Sequence, residues 1–501
     1  MTGSHNTETG TPAMNFASLP DRRAALDPDG AAVSDGRQSL TNTQLLDRVR
    51  AAARQLQDLG IGPGDVVALK LTNRIEFVLL LFAAWRIGAT ITPVNPSMTD
   101  VEVDRQVKDS GARLLVVEDH AAPVTDGTAV LAVGALYKEG ASSDHAPLVD
   151  SSALALLIYT SGTTGMPKGV MLDHANIDAM TEMGRLSLDI GPADRCLLIL
   201  PLFHVNGIVV SILTPLLAGA SVVIAGRRFD PHSFFDLVEQ ERPTFFSAVP
   251  TIYGMLAALP DDVRPDTSSL RFGVCGAAPA SAELLNRFEA RYGFPLVEGY
   301  GLSEGTCGST VNPVAGPRRA GTVGLPFPGQ EIRIVDAEGT EVGPGTDGEV
   351  LVKGPNVMRG YLGRPEETAQ VIVDGWLHTG DVGHLDAEGY LTLVGRSKDM
   401  IIRGGENIYP KEIEDVLTGD PSVLEAAVIG VPDEKWGEVV VAYIQPRPGM
   451  TVDPTVLREL CARSLTGFKR PTGFFVVEAI AKNAVGKIDK VSLRAAHVAA
   501  S

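Results

Sequence analysis

The stretch YTSGTTGMPKG, from Tyr159 to Gly169, combines residue types that together suit a bound polyphosphate. It follows the apolar run ALALLI over 153–158, which predicts a buried strand. Its glycines, hydroxyls and single lysine are Thr160, Ser161, Gly162, Thr163, Thr164, Gly165, Lys168 and Gly169. Glycines let backbone N–H groups approach an anion closely, hydroxyls donate further hydrogen bonds, and a lysine adds a point charge. The stretch therefore predicts a phosphate-binding loop, with a plain Ser/Thr/Gly surface loop as the alternative.

The loop differs from the Walker A loop of P-loop NTPases. That pattern ends in Gly-Lys followed directly by Ser or Thr and then a helix. Here Pro167 precedes Lys168, and Gly169 and Val170 follow it. The spacing excludes a P-loop NTPase.

Length and composition describe a globular chain of several structural units. A chain of 501 residues is too long for one core, so two to four units are expected. The formal net charge of −18 argues against nucleic acid or an anionic membrane as the main partner. From Arg396 onward the 14 basic and 14 acidic residues cancel, so the whole excess of negative charge lies before that point. A neutral module beside an acidic body is compatible with the module supplying cations to an anionic ligand.

The segment 196–226 contains no charged residue other than His204, should it be protonated, and so has the composition of a membrane span. Pro201, Gly207, Pro215 and Gly219 interrupt it. We therefore predict a strand over 197–200, a short buried helix near 208–217 and a strand over 221–225, and no transmembrane segment. Residues 1–15 lack the pattern of a signal peptide and are predicted to be a disordered tail. The four cysteines show no paired spacing, which favours reduced thiols in a cytoplasmic protein.

The periodicity of apolar residues predicts an α/β protein. Helices over 41–60, 76–88 and 100–110 alternate with strands over 66–71, 89–94 and 114–117, which is typical of parallel sheets covered by helices. After residue 320, short strands separated by Gly and Pro predict a small β-barrel or sandwich. After 395–399 the pattern becomes that of a compact α+β module. The predicted domains are 16–395 and 396–501.

The loop and the motifs that follow it resemble the signatures of the adenylate-forming enzymes, which include acyl-CoA synthetases, nonribosomal-peptide adenylation domains and beetle luciferases. The motifs run in the family's order from Tyr159 to Lys487 and so cover most of the chain. The resemblance implies a large N-terminal domain and a smaller, mobile C-terminal domain. It also implies ATP-dependent activation of a carboxylic acid to an acyl-AMP, with Mg²⁺ as cofactor.

By this resemblance, several motifs bind the nucleotide. The element EGYGLSE, over 298–304, is similar to the family's Y-G-x-T-E element with serine in place of threonine, which implies that Glu304 holds Mg²⁺ and Ser303 contacts the α-phosphate. A solvated surface carboxylate is the alternative for Glu304. Asp381, in the element T-G-D, is implied to accept the ribose hydroxyls, and Arg396 to join it. The other implied nucleotide contacts are Thr160, Ser161, Gly162, Thr163, Thr164, Lys168, Gly276, Ala277, Ala278, Glu298, Gly299 and Tyr300.

A second group is implied to line the pocket for the acid. It comprises His204, Val205, Asn206, Gly207, Val249, Pro250, Thr251 and Gly301. His204 is interpreted as an aromatic gate to this pocket and as part of the catalytic site, with a core histidine as the alternative.

The C-terminal module carries the remaining implied roles. Lys487 is the implied catalytic lysine, and Lys398 the hinge on which the module turns. The implied contacts with coenzyme A are Gly404, Gly405, Trp436, Phe468 and Arg470.

These motifs predict an AMP-forming acyl-CoA ligase whose partners are a carboxylic acid and CoA. Pocket candidates without Lys or Arg favour a fatty or other hydrophobic acid over a diacid. Two alternatives stay open: an adenylating enzyme that loads a carrier protein, and a non-catalytic nucleotide-binding homologue. Monomer and homodimer are both compatible with the sequence.

Overall fold

Most of the chain has a defined structure. The computed structural model describes residues 16–118, 127–137, 146–161, 167–226, 229–278, 280–404, 406–433, 435–482 and 488–500. The predicted tail, 1–15, lies outside these residues.

The α-helices fall in three groups, before the phosphate-type loop, between it and residue 371, and after residue 409. They are α1 (Leu19–Leu26), α2 (Asn42–Asp58), α3 (Ile75–Arg86), α4 (Asp100–Ser110), α5 (His174–Ser187), α6 (Val205–Ile208), α7 (Thr214–Leu217), α8 (Pro231–Glu241), α9 (Pro250–Ala257), α10 (Ala282–Tyr292), α11 (Pro365–Val371), α12 (Pro410–Thr418), α13 (Pro454–Ser464) and α14 (Lys490–Ala500).

The strands form four sheets. They are β1 (Ala31–Ser34), β2 (Ser39–Thr41), β3 (Val66–Lys70), β4 (Thr90–Pro93), β5 (Ala112–Val117), β6 (Ala129–Ala132), β7 (Leu154–Ser161), β8 (Pro167–Asp173), β9 (Arg195–Leu198), β10 (Ser221–Ile224), β11 (Phe245–Ala248), β12 (Phe272–Cys275), β13 (Leu296–Tyr300), β14 (Thr310–Val311), β15 (Leu325–Pro326), β16 (Glu331–Val335), β17 (Gly348–Lys353), β18 (Gly360–Tyr361), β19 (Ile372–Val373), β20 (Trp376–Leu385), β21 (Leu391–Arg396), β22 (Ile401–Arg403), β23 (Glu406–Ile408), β24 (Val423–Asp433), β25 (Gly437–Pro446) and β26 (Gly473–Val476).

Two large sheets carry the first part of the chain. One has nine strands in the order β15-β14-β13-β12-β11-β9-β10-β1-β2, and its six central strands, β13 to β1 in that order, are parallel. The other has seven strands in the order β18-β8-β7-β4-β3-β5-β6, in which β8 alone is reversed and is antiparallel to both of its neighbours, β7 and β18. Helices between successive parallel strands cover the sheets, as the alternating pattern predicts.

Local sequence signals explain where individual helices begin and lie. The helix α2 begins with a capping box, because Thr41 accepts a hydrogen bond from the Gln44 N–H while the Gln44 side chain accepts one from the Thr41 N–H. Every residue of α3 except Glu76 is buried. A helix that is apolar all round belongs in a core, and α3 accordingly lies in the largest hydrophobic cluster, together with residues of both large sheets.

The uncharged segment 196–226 is divided as predicted. It contains β9, two short helices α6 and α7, and β10, with a π-helical turn at Val209–Leu213 between the helices. The helical part begins three residues before the expected position. Within the described residues, no helix is both long and apolar enough to cross a membrane.

The small β unit is an antiparallel sheet in the order β16-β17-β20-β19, with β21 also paired to β20. No pairing joins β16 to β21 in this fully described segment, so these strands form an open sheet where the sequence predicted a small barrel or sandwich. The long strand β20 pairs with β17, β19 and β21 along different parts of its length.

The residues after 400 form a mixed sheet in the order β23-β22-β25-β24, with β26 parallel to β25. The helices α12 and α13 pack on it around a separate cluster of buried side chains that runs from Ile401 to Leu465. This is the α+β module predicted from the sequence. The boundary at 395–399 stays a prediction.

The carboxyl group of Asp178, on α5, is a buried acid without a hydrogen-bond partner in the described structure. Burial, and then the Asp173 carboxylate, raise its pKa to about 8. An unfolded aspartate loses its proton near pH 4, so between about pH 4 and pH 8 only the folded state binds this proton. Stability must therefore fall as the pH rises through that window.

Replacing Asp178 with asparagine is expected to remove this pH dependence. The variant should be more stable than the parent at pH 8 by about 1–3 kcal/mol and about equal to it at pH 4. Thermal unfolding at both pH values, with the exposed Asp262→Asn as the matched control, checks this. A variant that gains no stability at pH 8 would contradict the assigned protonation of Asp178.

Candidate active site

The carboxyl ends of four neighbouring parallel strands bring the predicted motifs together. The strands β9, β11, β12 and β13 lie side by side in the nine-stranded sheet, and a candidate segment follows each of them. These segments are 201–207, 249–251, 276–278 and 301–304. Ligands of open α/β sheets bind at this edge. Segments that are up to a hundred residues apart in the chain therefore face one region.

The stretch from Tyr159 to Gly169, which was predicted as a phosphate-binding loop, lies partly in two paired antiparallel strands. The strand β7 continues to Ser161, β8 begins at Pro167, and Thr160 pairs with Lys168 across the hairpin. The tip, which contains Gly162, Thr163 and Thr164, lies outside the described residues. The expected loop is therefore shorter than the motif, because the antiparallel pairing extends into it from both sides.

The Lys168 ammonium forms an ion pair with Glu367 on α11. It also lies over the ring of Tyr361, 5.0 Å from the ring centroid. The Lys168 side chain is only 14% exposed, so both contacts hold it in a largely enclosed position. In this structure, the lysine that was predicted to bind phosphate thus has a carboxylate as its anionic partner.

The predicted magnesium ligand, Glu304, follows β13 in a short 3₁₀ turn, Ser303–Gly305. Its Oε1 accepts a hydrogen bond of 2.9 Å from the Tyr361 hydroxyl. Its backbone carbonyl accepts a hydrogen bond of 2.8 Å from the Met358 N–H. These two hydrogen bonds fix both the side chain and the backbone of Glu304, unlike those of a freely solvated surface carboxylate.

Asp381 is a buried carboxylate with two strong partners. The Tyr300 hydroxyl donates to its Oδ2 at 2.6 Å, and the Arg396 Nε lies 2.8 Å from its Oδ1. Asp381 and Arg396 are also directly opposite in the β20–β21 pairing. Burial, followed by the Asp381 carboxylate, raises the pKa of Tyr300, so its hydroxyl remains a donor. The structure thus unites three residues that were predicted separately as nucleotide contacts.

The turn after β12 has an unusual backbone. Ala277 has a φ of +66°, a left-handed conformation that is uncommon for a residue other than glycine and is often found at functional sites. Gly276 is buried and would place a Cβ 3.3 Å from the Gly299 carbonyl oxygen, while Ala277 and Ala278 are exposed. Small residues on both sides leave an open surface, as expected for a turn beside a flat ring.

Glu298 lies beneath this turn and is buried. Its Oε1 accepts a hydrogen bond of 3.1 Å from the Ala280 N–H. Burial raises its pKa to about 7, against the smaller opposing effects of this hydrogen bond and of Lys411 on α12. The carboxyl group is therefore partly protonated at neutral pH, and the C-terminal module contributes charges to its surroundings.

The predicted acid entrance is partly exposed and has a tightly packed base. His204 precedes α6 and packs on the Phe203 ring at a centroid distance of 4.4 Å. The Asn206 Oδ1 accepts a hydrogen bond of 3.1 Å from the Ser247 hydroxyl. A Cβ at Gly207 would lie 2.8 Å from the Pro201 carbonyl oxygen. The segment therefore needs glycine at 207, and His204 is partly exposed rather than fully buried in the core.

Gly301 marks a close approach of two backbones. A Cβ at this position would lie 1.9 Å from the Cys307 carbonyl oxygen. Thr306 and Cys307 both have positive φ angles, 55° and 117°, so the chain bends sharply to make this contact. Val249, Pro250 and Thr251, at the start of α9, are partly or fully exposed beside this edge.

The predicted CoA contacts fall into two groups. Gly404 has a φ of +61°, and its N–H donates to the Trp436 carbonyl at 2.8 Å. Arg403 joins this group because its guanidinium lies 5.4 Å from the Trp436 ring centroid and donates to the Phe468 carbonyl at 2.7 Å. Arg470 instead donates to the carbonyls of Leu465 and Ala462, at the end of α13. Arg470 thus acts here as a helix cap.

Other candidates have a position but no tested role. Lys398 lies in a short 3₁₀ turn, Ser397–Asp399, between β21 and β22, and its side chain is exposed. Gly405 and Lys487 lie outside the described residues. Their assigned roles stay predictions.

The described acidic residues fit magnesium that is bound together with a nucleotide. In the part of the chain that the structure describes, no group of three or more His, Cys, Asp or Glu side chains is arranged to hold a metal ion. Mg²⁺ is usually held by one or two carboxylates, with substrate phosphates and water as the other ligands. The Glu304 carboxylate meets that requirement without a dedicated protein cage.

Two residues beside the site were not foreseen from the sequence. Tyr361 contacts Glu304, and Glu367 contacts Lys168, yet each lies more than 50 residues along the chain from the residue it contacts. The sequence carried one signal, the string GYLGRPEET over 360–368, with a glycine, an aromatic residue and two acids between strands.

Family models match both parts of the chain. The model of the AMP-binding enzyme family matches residues 20–362, and that of the AMP-binding enzyme C-terminal domain matches residues 412–487. The chain belongs to the AMP-binding enzyme family. The predicted membership of the adenylate-forming superfamily is confirmed, and the chain is an enzyme, an AMP-forming ligase.

Curated relatives cover nearly the whole enzyme and are named as acid–thiol ligases. A feruloyl-CoA synthase of Amycolatopsis is 40% identical over 96% of this chain and 99% of its own. An oxalate–CoA ligase of Arabidopsis thaliana is 36% identical over 94% and 95%. A fatty acid–[acyl-carrier-protein] ligase, ScoC, of Streptomyces coeruleorubidus is 34% identical over 93% and 92%. The acids in these names differ, so the expected fatty acid receives no specific support.

Solved structures confirm the fold class of the enzyme. ATP-bound MatB from Rhodopseudomonas palustris matches with a TM-score of 0.88 at 32% identity, over 97% of this chain and 99% of its own. The apo form of the same protein matches with a TM-score of 0.77 over the same shares. The enzyme is therefore arranged more like the ATP-bound form of this relative. Use of ATP with Mg²⁺ is supported by the family and by its ATP-bound structures.

Proposed function

We propose that the enzyme activates a carboxylic acid with ATP and then transfers the acyl group to coenzyme A. In the first step a carboxylate oxygen attacks the α-phosphorus, the bond to the β-phosphate breaks, and pyrophosphate leaves. In the second step the CoA sulfur attacks the acyl carbon, the C–O bond to AMP breaks, and AMP leaves. The observation that carries the proposal is the meeting of the nucleotide and acid motifs at one sheet edge, in a chain of this family.

In the first step, some residues position the nucleotide and others compensate its negative charge. Asp381, fixed by Tyr300 and Arg396, accepts hydrogen bonds from the ribose hydroxyls, a role that suits an acceptor with two oxygens. Lys168 is assigned to the polyphosphate, and Lys487 to the reacting oxygens, by the family motifs that contain them. Catalysis of this kind depends mainly on positioning and on compensating charge.

Glu304 is the residue that would hold magnesium. Bound together with ATP, Mg²⁺ neutralises charge that develops on the phosphate oxygens. Lys168 and Glu304 are both close to Tyr361, so the phosphate-binding and the metal-binding residues converge on one place.

For the second step, we propose that the C-terminal domain, 396–501, turns at Lys398 relative to the N-terminal domain, 16–395. The turn removes Lys487 and brings Gly405 to the channel for the CoA thiol. The group of Gly404, Trp436 and Phe468 then meets CoA. The contact between Arg403 and the Trp436 ring supports this, because it places a cation and an exposed aromatic surface together on one side of the module.

The acid is proposed to be a hydrophobic monocarboxylate. Val205, Val249 and Pro250 of the predicted pocket are apolar, and no predicted pocket residue is Lys or Arg. A second carboxylate would find no Lys or Arg there to compensate its charge, which is unfavourable where the pocket excludes water. Fatty and arylpropenoic acids such as ferulate both meet this description, and ferulate is the acid named for a relative that is 40% identical.

A carrier protein is the alternative acceptor, because one relative is named as an acyl-carrier-protein ligase. The arrangement of Gly404, Trp436 and Phe468 favours CoA. A non-catalytic nucleotide-binding homologue is disfavoured, because Glu304, Asp381, Arg396 and Lys487 are all present.

The function is tested with purified protein, ATP, Mg²⁺ and a panel of acids that differ in length, aromaticity and number of carboxylates. We expect AMP and pyrophosphate with at least one hydrophobic monocarboxylate, and its CoA thioester by mass spectrometry when CoA is added. For a matched diacid, kcat/KM should be lower by about 100-fold or more. Adenylation without thioester formation on CoA would favour the carrier protein, and no AMP with any acid would overturn the proposal.

A further inference from the structure

The ring of Tyr361 lies between two groups that come from different sheets. Its hydroxyl donates to the Glu304 Oε1 at 2.9 Å, and the Lys168 Nζ lies 5.0 Å from its centroid. Lys168 belongs to the seven-stranded sheet, whereas Glu304 follows a strand of the nine-stranded sheet. Tyr361 is 7% exposed, so the contacts form in a largely water-free place where electrostatic interactions are strong.

The backbone fixes the position of Tyr361 on both sides. Tyr361 pairs with Val170 in the β18–β8 ladder, two residues from Lys168. Its N–H donates to the Thr368 Oγ1 at 2.9 Å. Gly360 has a φ of +138°, and a Cβ there would lie 2.6 Å from the Thr368 side chain, so the chain must turn closely at this point.

The hydroxyl of Tyr361 can act only as a donor toward Glu304. A donor at Oε1 restricts rotation of the carboxyl group. The Lys168 ammonium is attracted to the ring face without losing its N–H donors.

A bound nucleotide would weaken the ion pair between Lys168 and Glu367 but not the contact between Lys168 and the Tyr361 ring. A phosphate competes with Glu367 for the same ammonium group, and the 33% exposed Glu367 side chain has room to withdraw. The Tyr361 ring, in contrast, leaves the N–H groups of Lys168 available to donate hydrogen bonds to a phosphate. Tyr361 thus keeps Lys168 in place while its anionic partner changes.

We propose that Tyr361 is a positioning residue for acyl-AMP formation, which holds the Glu304 carboxylate and the Lys168 ammonium toward one bound polyphosphate. The proposal rests on the function proposed above. Tyr361 itself lies in no family motif quoted above.

The test uses Tyr361→Phe, which keeps the ring and removes the donor. For this variant, kcat/KM for Mg·ATP in acid-dependent pyrophosphate exchange should fall about 10-fold, because hydrogen bonds to charged groups are among the stronger ones. The Mg²⁺ concentration for half-maximal activity should rise. The Kd of ATP by calorimetry should rise in Mg²⁺ but change less than about 2-fold in EDTA, where Glu304 has no metal to hold.

The matched control is Tyr390→Phe. Tyr390 is also buried, its hydroxyl donates to the Pro317 carbonyl at 2.7 Å, and the Arg319 guanidinium lies 4.3 Å from its ring centroid. Tyr390 thus has the same two kinds of contact as Tyr361, a hydroxyl that donates and a cation over the ring, but lies outside the candidate site. Its substitution should leave both Kd values and the Mg²⁺ dependence within about 2-fold of the parent.

A double-mutant cycle separates positioning from general packing. Tyr361→Phe should have little further effect in the Glu304→Gln background, because the donor then has no carboxylate to orient. Independent, multiplicative effects would overturn the proposal, as would an equal rise of Kd in Mg²⁺ and EDTA. Absence of pyrophosphate exchange in the parent would reject the proposed function, whereas the binding comparison would still report on Tyr361.

Discussion

Replacing Glu304 with glutamine is expected to lower the rate of acyl-AMP formation by about 100-fold or more, the usual effect of losing one group that stabilises transition-state charge. The substitution preserves size and an acceptor for the Tyr361 hydroxyl but removes the negative charge. Without that charge, the side chain at position 304, which accepts the hydrogen bond from Tyr361, would no longer attract Mg²⁺. Acid-dependent exchange of pyrophosphate into ATP measures this half-reaction directly.

The control for this prediction is Glu338→Gln, which removes a carboxylate from an exposed turn between β16 and β17. Its exchange rate should equal that of the parent. Thioester formation from supplied acyl-AMP should be little affected by Glu304→Gln, because no phosphate transfer occurs in that step. A variant with the parent's exchange rate would contradict the assigned role of Glu304.

Lys487→Ala is expected to abolish acyl-AMP formation and to leave transfer from supplied acyl-AMP to CoA largely intact. In the proposed mechanism, the Lys487 charge acts on the reacting oxygens only during adenylation. A loss of at least about 100-fold in the first half-reaction corresponds to removal of one such group. The two half-reactions are measured separately, as pyrophosphate exchange and as thioester yield.

The reciprocal variant, Gly405→Leu, is the control for Lys487→Ala. A leucine at this position should obstruct the thiol channel and so impair transfer to CoA while sparing adenylation. Equal losses in both half-reactions for either variant would show that the two domains do not exchange roles in the proposed way.

Sequence periodicity predicted most elements because their signals are local. The helix α4 begins after Thr99, whose side chain caps it together with Glu102, and ends at Gly111 in the left-handed conformation. Its predicted and observed limits coincide. The uncharged segment 196–226 was resolved correctly for the same reason, since Pro201 and Gly219 interrupt any continuous span.

Pairing between distant strands could not be predicted in the same way. The phosphate-type stretch looked like a long loop because its glycines and hydroxyls disfavour regular structure, yet β7 and β8 pair as far as Ser161 and Pro167. The open arrangement of the small sheet depends on how β20 distributes its partners along its length. Neither fact is encoded within a short window.

The candidate site shows the same division. Motifs indicated Glu304, Asp381 and Lys168 one at a time, from residue type and from the family's order. The contacts that connect them require Tyr300 to reach Asp381 and Tyr361 to reach Glu304, across 81 and 57 residues. Such pairs are visible only after folding.

The close approach of Gly301 to the Cys307 carbonyl limits how this enzyme can change its choice of acid. A larger residue at 301 would displace the bend at Thr306 and Cys307, and with it the turn that carries Glu304. In the proposed function, a substitution at 301 would therefore impair ATP use as well as acid selection. In the proposed site, new acids would then have to be accommodated through Val249, Pro250 and Thr251 at the start of α9, which are partly or fully exposed.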